Sequence, residues 1–137
     1  MTVITVETII SSSLDNVWDA WTTPEHITKW NFAADSWCCP HATNDLRAGV
    51  TFSWRMEAKD GSFGFDFAGT YENVNLKEKI CSSLGDGRKI IVTFTQKGEN
   101  EVLVTEEFEA EAQNSEELQR NGWQSILNNF KKYVERW

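Results

Sequence analysis

The chain has 137 residues, of which 13 are basic and 21 are acidic, and its net charge is −8 near neutral pH. This length suits one domain covering residues 1–137, and the acidic excess argues against nucleic acid or an anionic membrane surface as a partner. The first residues lack the pattern of a signal peptide, and no segment reaches the roughly 18 apolar residues of a membrane span, so we expect a cytoplasmic protein.

The N-terminal part of the chain predicts one strand and two short helices. Residues 3–11 alternate in the manner of a strand. The stretch LDNVWDAWT then has apolar residues at helical spacing, with Ser12 or Ser13 as its N-cap. Pro24 stands at a first helical position, which predicts a second short helix that ends near Trp30.

The segment from Asn31 to Ala48 has no regular pattern, and we expect it to be a loop that borders the functional site. It contains Cys38, Cys39 and His41, which are residue types that bind zinc. Structural zinc sites normally show a spaced pair such as C-x-x-C and a second pair elsewhere, and neither is present. We therefore expect reduced thiols in a loop and predict no metal or other cofactor.

Five strands in an antiparallel meander are predicted to follow. The first carries Phe52, Trp54 and Met56 on one face, because alternate residues of a strand point to the same side. Asp60-Gly61 is a strong hairpin signal. The second strand carries a matching row on one face, which comprises Phe63, Phe65, Phe67 and Tyr71. The remaining three strands are predicted at about residues 79–84, 89–96 and 101–110.

The last 20 residues predict a long amphipathic helix. Asn114 and Glu117 have the spacing of a capping box at its start. At about 100° per residue, the large apolar side chains fall in one half of the helix, together with Gln119 and Gly122. A glycine inside a helix costs roughly 1 kcal/mol relative to alanine, so Gly122 indicates either a close backbone contact or open volume on the buried side.

These elements predict an α+β fold in which a curved, six-stranded antiparallel sheet wraps around the C-terminal helix, with two short helices between the first and second strands. A strongly twisted sheet around a helix leaves space between them. We expect a ligand-binding cavity there, lined by Trp30, Trp37, Phe52, Trp54, Met56, Phe65, Phe67, Tyr71, Glu106, Gln119, Gly122, Trp123 and Ile126.

Four motifs in this order resemble the family of the activator of heat shock protein 90 ATPase, within the START and birch-pollen-allergen superfamily (SRPBCC). Its "vW-x-aWT-x-PE-x-x-x-x-W" run is matched from Val17 to Trp30, and its "G-x-Y-x-x-V" motif from Gly69 to Val74. A small residue, glycine and Phe52 open the second strand, as in the family. Its C-terminal "GW-x-x-x-L" motif is matched from Gly122 to Leu127. The family carries a glycine-threonine entry and often a histidine near residues 99–107, where this chain has glutamates instead.

The resemblance implies a helix-grip fold and a small apolar or aromatic ligand. The protein is expected to be a monomer or a homodimer, since an exposed aromatic such as Trp37 in the long loop is typical of a contact patch. The resemblance also leaves two alternatives. One is an enzyme of the polyketide cyclase or hydrolase type, for which the residues offer no catalytic motif and only scattered acid and base candidates: Glu106, Glu107, His26, His41, Asp66 and Arg55. The other is a co-chaperone-like partner of the heat shock protein 90 ATPase.

Overall fold

Alternating apolar residues build one antiparallel sheet, and the computed structural model describes it within residues 2–137. The strands in that range are β1 Val3–Ile10, β2 Trp37–Cys38, β3 Ala42–Thr43, β4 Thr51–Ala58, β5 Gly64–Asn75, β6 Lys79–Leu84, β7 Lys89–Gly98 and β8 Glu101–Glu109. The helices are α1 Leu14–Thr22, α2 Pro24–Trp30 and α3 Glu116–Glu135. The order of the strands across the sheet is β1-β8-β7-β6-β5-β4-β2, and β3 also pairs with β4.

The predicted α+β architecture is confirmed, with a curled sheet around a long C-terminal helix. The six predicted strands are β1 and β4 to β8, and the two short helices follow β1 as predicted. The segment between Asn31 and Ala48 differs from the loop that the sequence predicted, because it contributes two strands of two residues each. Trp37 pairs with Ala58 and Ala42 pairs with Trp54, so this segment lies along the outer edge of β4. Two residues are too few to give an alternation pattern in the sequence.

Helices α1 and α2 pack against the interior with their aromatic side chains. Trp18 meets Phe94 of β7 edge to face, with ring centroids 5.2 Å apart. Trp21 and Trp30 both meet Phe130 of α3, at 4.9 and 4.8 Å. The indole nitrogen of Trp30 donates a hydrogen bond to a backbone carbonyl of α1 at 2.8 Å. These contacts join both short helices to the C-terminal part of α3.

The N-cap of α3 is Ser115, so the prediction of Asn114 in that role was wrong. The Ser115 hydroxyl accepts a hydrogen bond from the backbone N–H of Leu118. Asn114 instead donates its backbone N–H and its side-chain amide to the carboxylate of Glu111, at 2.8 and 2.6 Å. Both residue types are good caps, and the turn that Glu111 organises moves the start of the helix by one residue.

Helix α3 lies beside β1 and covers part of its outer edge. The carbonyl of Glu7 accepts a hydrogen bond from Gln124 at 3.3 Å, and the carbonyl of Ile9 accepts one from Lys131 at 2.6 Å. The backbone N–H of Ser11 donates to Glu135 at 2.7 Å. Outward backbone groups of the edge strand therefore have partners on the helix.

None of the helices within residues 2–137 combines the length and the apolar character that crossing a membrane requires.

Candidate functional site

A cavity of about 390 Å³ lies between the first half of α3 and the concave face of the sheet. This volume falls within the usual range for small-molecule pockets, roughly 300–1,000 Å³. The residues that line it are Trp21, Trp30, Asn31, Ala33, Trp37, Trp54, Met56, Phe65, Phe67, Leu84, Arg88, Glu106, Glu111, Asn114, Leu118, Gln119, Gly122, Trp123 and Ile126. The lining thus includes every residue of the sequence-predicted site except Phe52 and Tyr71.

The walls of the cavity are aromatic and in mutual contact. Trp123 of α3 meets Phe67 of β5 edge to face at 5.9 Å. Phe67 lies 6.0 Å from Trp54 of β4, and Trp54 lies 5.9 Å from Trp30. Because each ring packs against the next, the faces that border the cavity are held in place before any ligand enters.

Gly122 faces open space. A Cβ atom placed on it would meet no heavy atom within 4 Å among the described residues outside the local helix backbone. Of the two readings that the sequence allowed, close contact and open volume, this geometry favours the second. The missing side chain therefore contributes volume to the cavity.

Gln119 is buried at the rim of the cavity, and its amide is fully used within the protein. Its Oε1 accepts the backbone N–H of Glu111 at 2.9 Å. Its Nε2 donates to the carbonyls of Glu111 and Asn114, at 3.1 and 2.9 Å. Gln119 therefore fixes the connection from β8 to α3, which explains a polar residue on the apolar side of the helix.

Glu106 points into the concave side of the sheet, as alternation along β8 predicts. It pairs with Val6 of β1 and Val92 of β7, and its neighbours on the same face of β8 are Val104 and Phe108. Only 6% of the residue is exposed. Burial alone raises the pKa of this carboxyl from 4.5 to about 8, since a charged group in apolar surroundings loses its hydration. Glu106 is therefore mainly a neutral carboxylic acid at pH 7.

Phe52 and Tyr71 belong to the core and not to the cavity lining, so their predicted place in the site was wrong. Their rings stack at 4.8 Å. The Tyr71 hydroxyl donates to the side-chain carbonyl of Asn44, which also accepts from the indole of Trp54 at 3.3 Å. The Asn44 amide donates to the carbonyl of Thr22 at 2.7 Å. This network ties the loop after β3 to the end of α1.

The other acid and base candidates lie away from the cavity. Arg55 pairs with Glu57 and Asp66 on the outer side of the β4–β5 hairpin. The ring of His26 lies 2.6 Å from the Tyr133 hydroxyl, near the end of α3. Two further candidates stand elsewhere on the sheet and its loops, Glu107 half-buried and His41 exposed. Only Glu106 among these candidates reaches the cavity.

The segment with Cys38, Cys39 and His41 does not form a metal cluster. In the described part of the chain, residues 2–137, no three His, Cys, Asp or Glu side chains are placed to hold a metal ion. The three cysteines are free. Burial raises the pKa of the Cys39 thiol, and its sulfur accepts a hydrogen bond from Asn31 at 3.8 Å, which suits a buried thiol in a structural role.

Sequence reasoning missed several lining residues at the rim. Arg88 and Leu84 come from the turn between β6 and β7, and that turn reaches the cavity only because the sheet curls. Leu118 is 59% exposed at the mouth, although the helical pattern placed it in the apolar half. Asn31 and Ala33 do have a signal, since they begin the segment that was expected to border the site.

The family model described as "Activator of Hsp90 ATPase homolog 1-like protein" matches residues 11–135. The chain belongs to this family. The match confirms the resemblance that the four motifs indicated. No curated protein matches the chain.

Solved structures of Activator of Hsp90 ATPase homolog 1-like and related proteins have the same fold. An AHSA1-like protein from Aeromonas hydrophila is 38% identical, with a TM-score of 0.91, and the match covers 98% of this chain and 93% of that one. Chr148 from Cytophaga hutchinsonii is 46% identical, with a TM-score of 0.83 and coverage of 97% and 92%. CV1439 from Chromobacterium violaceum, at 19% identity, has a TM-score of 0.85 with coverage of 98% and 99%.

Proposed function

We propose that this member of the family binds a small apolar or aromatic molecule in the cavity between α3 and the sheet. The observation that carries the proposal is a volume of about 390 Å³ whose walls are mostly aromatic side chains already packed against one another. Aromatic walls offer a large contact area without ordering flexible side chains, which lowers the entropic cost of binding.

Binding is favoured over catalysis because Glu106 is the one acid or base candidate named from the sequence that lines the cavity, and the other carboxylate of the lining, Glu111, is engaged by Asn114. A reaction of the cyclase or hydrolase type needs groups that give and take protons within reach of the same substrate. Glu106 is inside the cavity, whereas His26, His41 and Asp66 lie outside it. A chaperone partner, a homodimer and a cytoplasmic location stay predictions.

The direct test is a titration of tryptophan fluorescence with a panel of lipids, flavonoids and polyketides. Trp21, Trp30, Trp37, Trp54 and Trp123 line the cavity, so an occupant should change the emission. Saturable binding by at least one compound is expected. A panel without any response, together with an experimental structure whose cavity is too small for a few carbon atoms, would refute the proposal.

Gly122→Leu should weaken binding by at least about tenfold, because the leucine side chain would occupy open cavity volume. Stability should not fall, since a Cβ at this position meets no close neighbour and leucine is a better helix former than glycine. Asn121→Leu is the matched control, because residue 121 is exposed on the adjacent position of α3. Equal ligand affinity in Gly122→Leu and the wild type would show that the ligand does not occupy this side of the cavity.

A further inference from the structure

Glu106 is the feature of the cavity that its apolar lining does not explain. No hydrogen bond or ion pair from residues 2–137 stabilises its carboxyl group, and burial is the sole cause of its raised pKa. Its strand neighbours Val6, Val92 and Val104 are all apolar. Burying a carboxyl group without a partner costs free energy that a valine in its place would not cost. Glu106 lines the cavity and its carboxyl oxygens are not among fully buried atoms, so a bound molecule can reach them.

The other charged side chains around the cavity each have a partner on the protein. The Nε of Arg88 donates to Asp86 at 2.7 Å, and Oε1 of Glu111 accepts two hydrogen bonds from Asn114. The amide of Gln119 makes three hydrogen bonds to the backbone. The elements that pack around Glu106 from β1 and β7 present apolar side chains to it, and Arg88 and Glu111 are the remaining charged groups of the lining. Glu106 is thus the charge-bearing side chain of the lining that has no hydrogen bond or ion pair within residues 2–137.

We infer that the cavity selects molecules with a protonated amine on an aromatic or alkyl body, and that the Glu106 carboxylate pairs with the ammonium group. The inference rests on the proposed binding function and adds the class of ligand to it. Aromatic rings attract cations over their faces, and Trp54 and Trp123 are aromatic residues of the lining that keep some exposed surface. The net charge of −8 also draws cations toward the protein and repels anions.

Formation of the ion pair between Glu106 and the ammonium group releases one proton. In the free protein near neutral pH the carboxyl holds its proton. An ammonium group within about 4–6 Å favours the charged form of a carboxyl. The carboxylic acid therefore releases its proton to solvent as the ammonium ion binds, and the complex contains one carboxylate and one ammonium. A neutral ligand that accepts a hydrogen bond would leave the proton on Glu106.

Isothermal titration calorimetry with three matched probes tests this inference: 4-phenylbutylamine, 4-phenyl-1-butanol and 4-phenylbutyrate. We expect the amine to bind the wild type at least about tenfold more tightly than the alcohol at pH 7, and the acid to bind most weakly. Titrations in two buffers with different ionisation enthalpies should detect the release of nearly one proton at pH 6.5 and almost none at pH 9. Affinity for the amine should rise with pH up to about 8 and then level off.

Glu106→Gln keeps the shape of the side chain and removes its charge. Binding of the amine should weaken by at least about tenfold with no proton release, while binding of the alcohol stays within about twofold. Proton release when the amine binds the wild type tests the pairing with Glu106 without the need for a variant. If the alcohol binds the wild type as tightly as the amine, or if the amine binds at pH 6.5 without releasing a proton, the amine inference fails and the proposed binding function stands. If none of the three probes binds, the amine inference fails, and the compound panel above decides separately on the binding function.

Discussion

Two glycines in the interior lack a side chain for opposite reasons. A Cβ on Gly69 of β5 would lie 2.5 Å from the backbone oxygen of Ser83 and 2.9 Å from the ring of Phe52, whereas a Cβ on Gly122 meets open space. Gly69→Ala should therefore lower the free energy of unfolding by roughly 1–3 kcal/mol, the usual cost of overpacking. Gly122→Ala should raise it by roughly 0.5–1 kcal/mol through helix propensity.

Urea unfolding of the two alanine variants beside the wild type measures both effects. Each variant serves as the control for the other, because the chemical change is the same and only the surroundings differ. A loss of stability in Gly122→Ala would mean that this turn of α3 contacts the sheet and that the cavity is smaller than described.

Glu106 should make stability depend on pH between about 4.5 and 8. Its pKa is raised to about 8 in the folded protein, from 4.5 when unburied, so in this window the folded state holds a proton that the unfolded state has lost. The free energy of unfolding should fall as pH rises through the window, by up to about 1.4 kcal/mol per pH unit, and level off above it. Urea unfolding at pH 5, 6, 7 and 8 checks this.

The variant Glu106→Gln isolates the contribution of this carboxyl. It should be less dependent on pH than the wild type over the same range. The lowered pKa values of Asp45, Asp60 and Asp86, each caused mainly by a hydrogen bond from the residue two positions later, act at more acid pH and do not overlap with it. Parallel curves for wild type and variant would show that Glu106 is ionised in the folded protein across the window.

Residue by residue, the sequence predicts which side of an element a side chain faces better than what that side chain meets. Alternation placed Glu106 on the concave face correctly. It also placed Phe52 and Tyr71 on that face, where both are buried, but it did not predict their contacts. The ring of Phe52 packs over Gly69, and the Tyr71 hydroxyl donates to Asn44. Such contacts depend on residues distant in sequence, which a local pattern does not contain.

At the scale of elements, α3 protects the edge of the sheet as well as forming one side of the cavity. Unpaired backbone groups on an edge strand invite pairing with another chain. The double variant Gln124→Ala with Lys131→Ala removes the donors to the carbonyls of Glu7 and Ile9. We expect it to self-associate at lower protein concentration than the wild type.

Sedimentation velocity over a concentration series detects this change. Lys132→Ala is the control, since it removes a neighbouring exposed lysine and leaves both hydrogen bonds to β1 in place. If the double variant and the control sediment alike, the partners on α3 do not limit pairing at this edge.

The bounds of most elements could be predicted because their signals are local. Pro24 at the start of α2, the serine cap of α1 and the glycine turns between strands each act within a few residues. The start of α3 shows the limit of such signals. Asn114 and Ser115 are both good caps, and a contact with Glu111 decides between them.

For the whole molecule, the order of elements and four short motifs were enough to predict the fold and the family, because both depend on features spread along the chain. The sequence predicted a cavity between α3 and the sheet but did not predict its outline. Its rim comes from the β6–β7 turn and from the connection before α3, and the curl of the sheet brings these distant segments together. The identity of an occupant depends on Glu106 and the rim together, which is why the proposed ligand class needed the three-dimensional arrangement.

The two halves of α3 differ in how deeply their apolar side is buried. Leu127, Phe130 and Val134 in the second half are almost fully buried and hold the helix on the protein, whereas Gly122 in the first half and Ile126 at the middle are partly exposed at the cavity. Substitutions at these two partly exposed positions can therefore accumulate without bringing the protein below the stability that folding requires. Related chains can diverge in ligand preference by neutral drift at these positions, and a combinatorial library confined to them should yield mostly folded members with different cavity shapes.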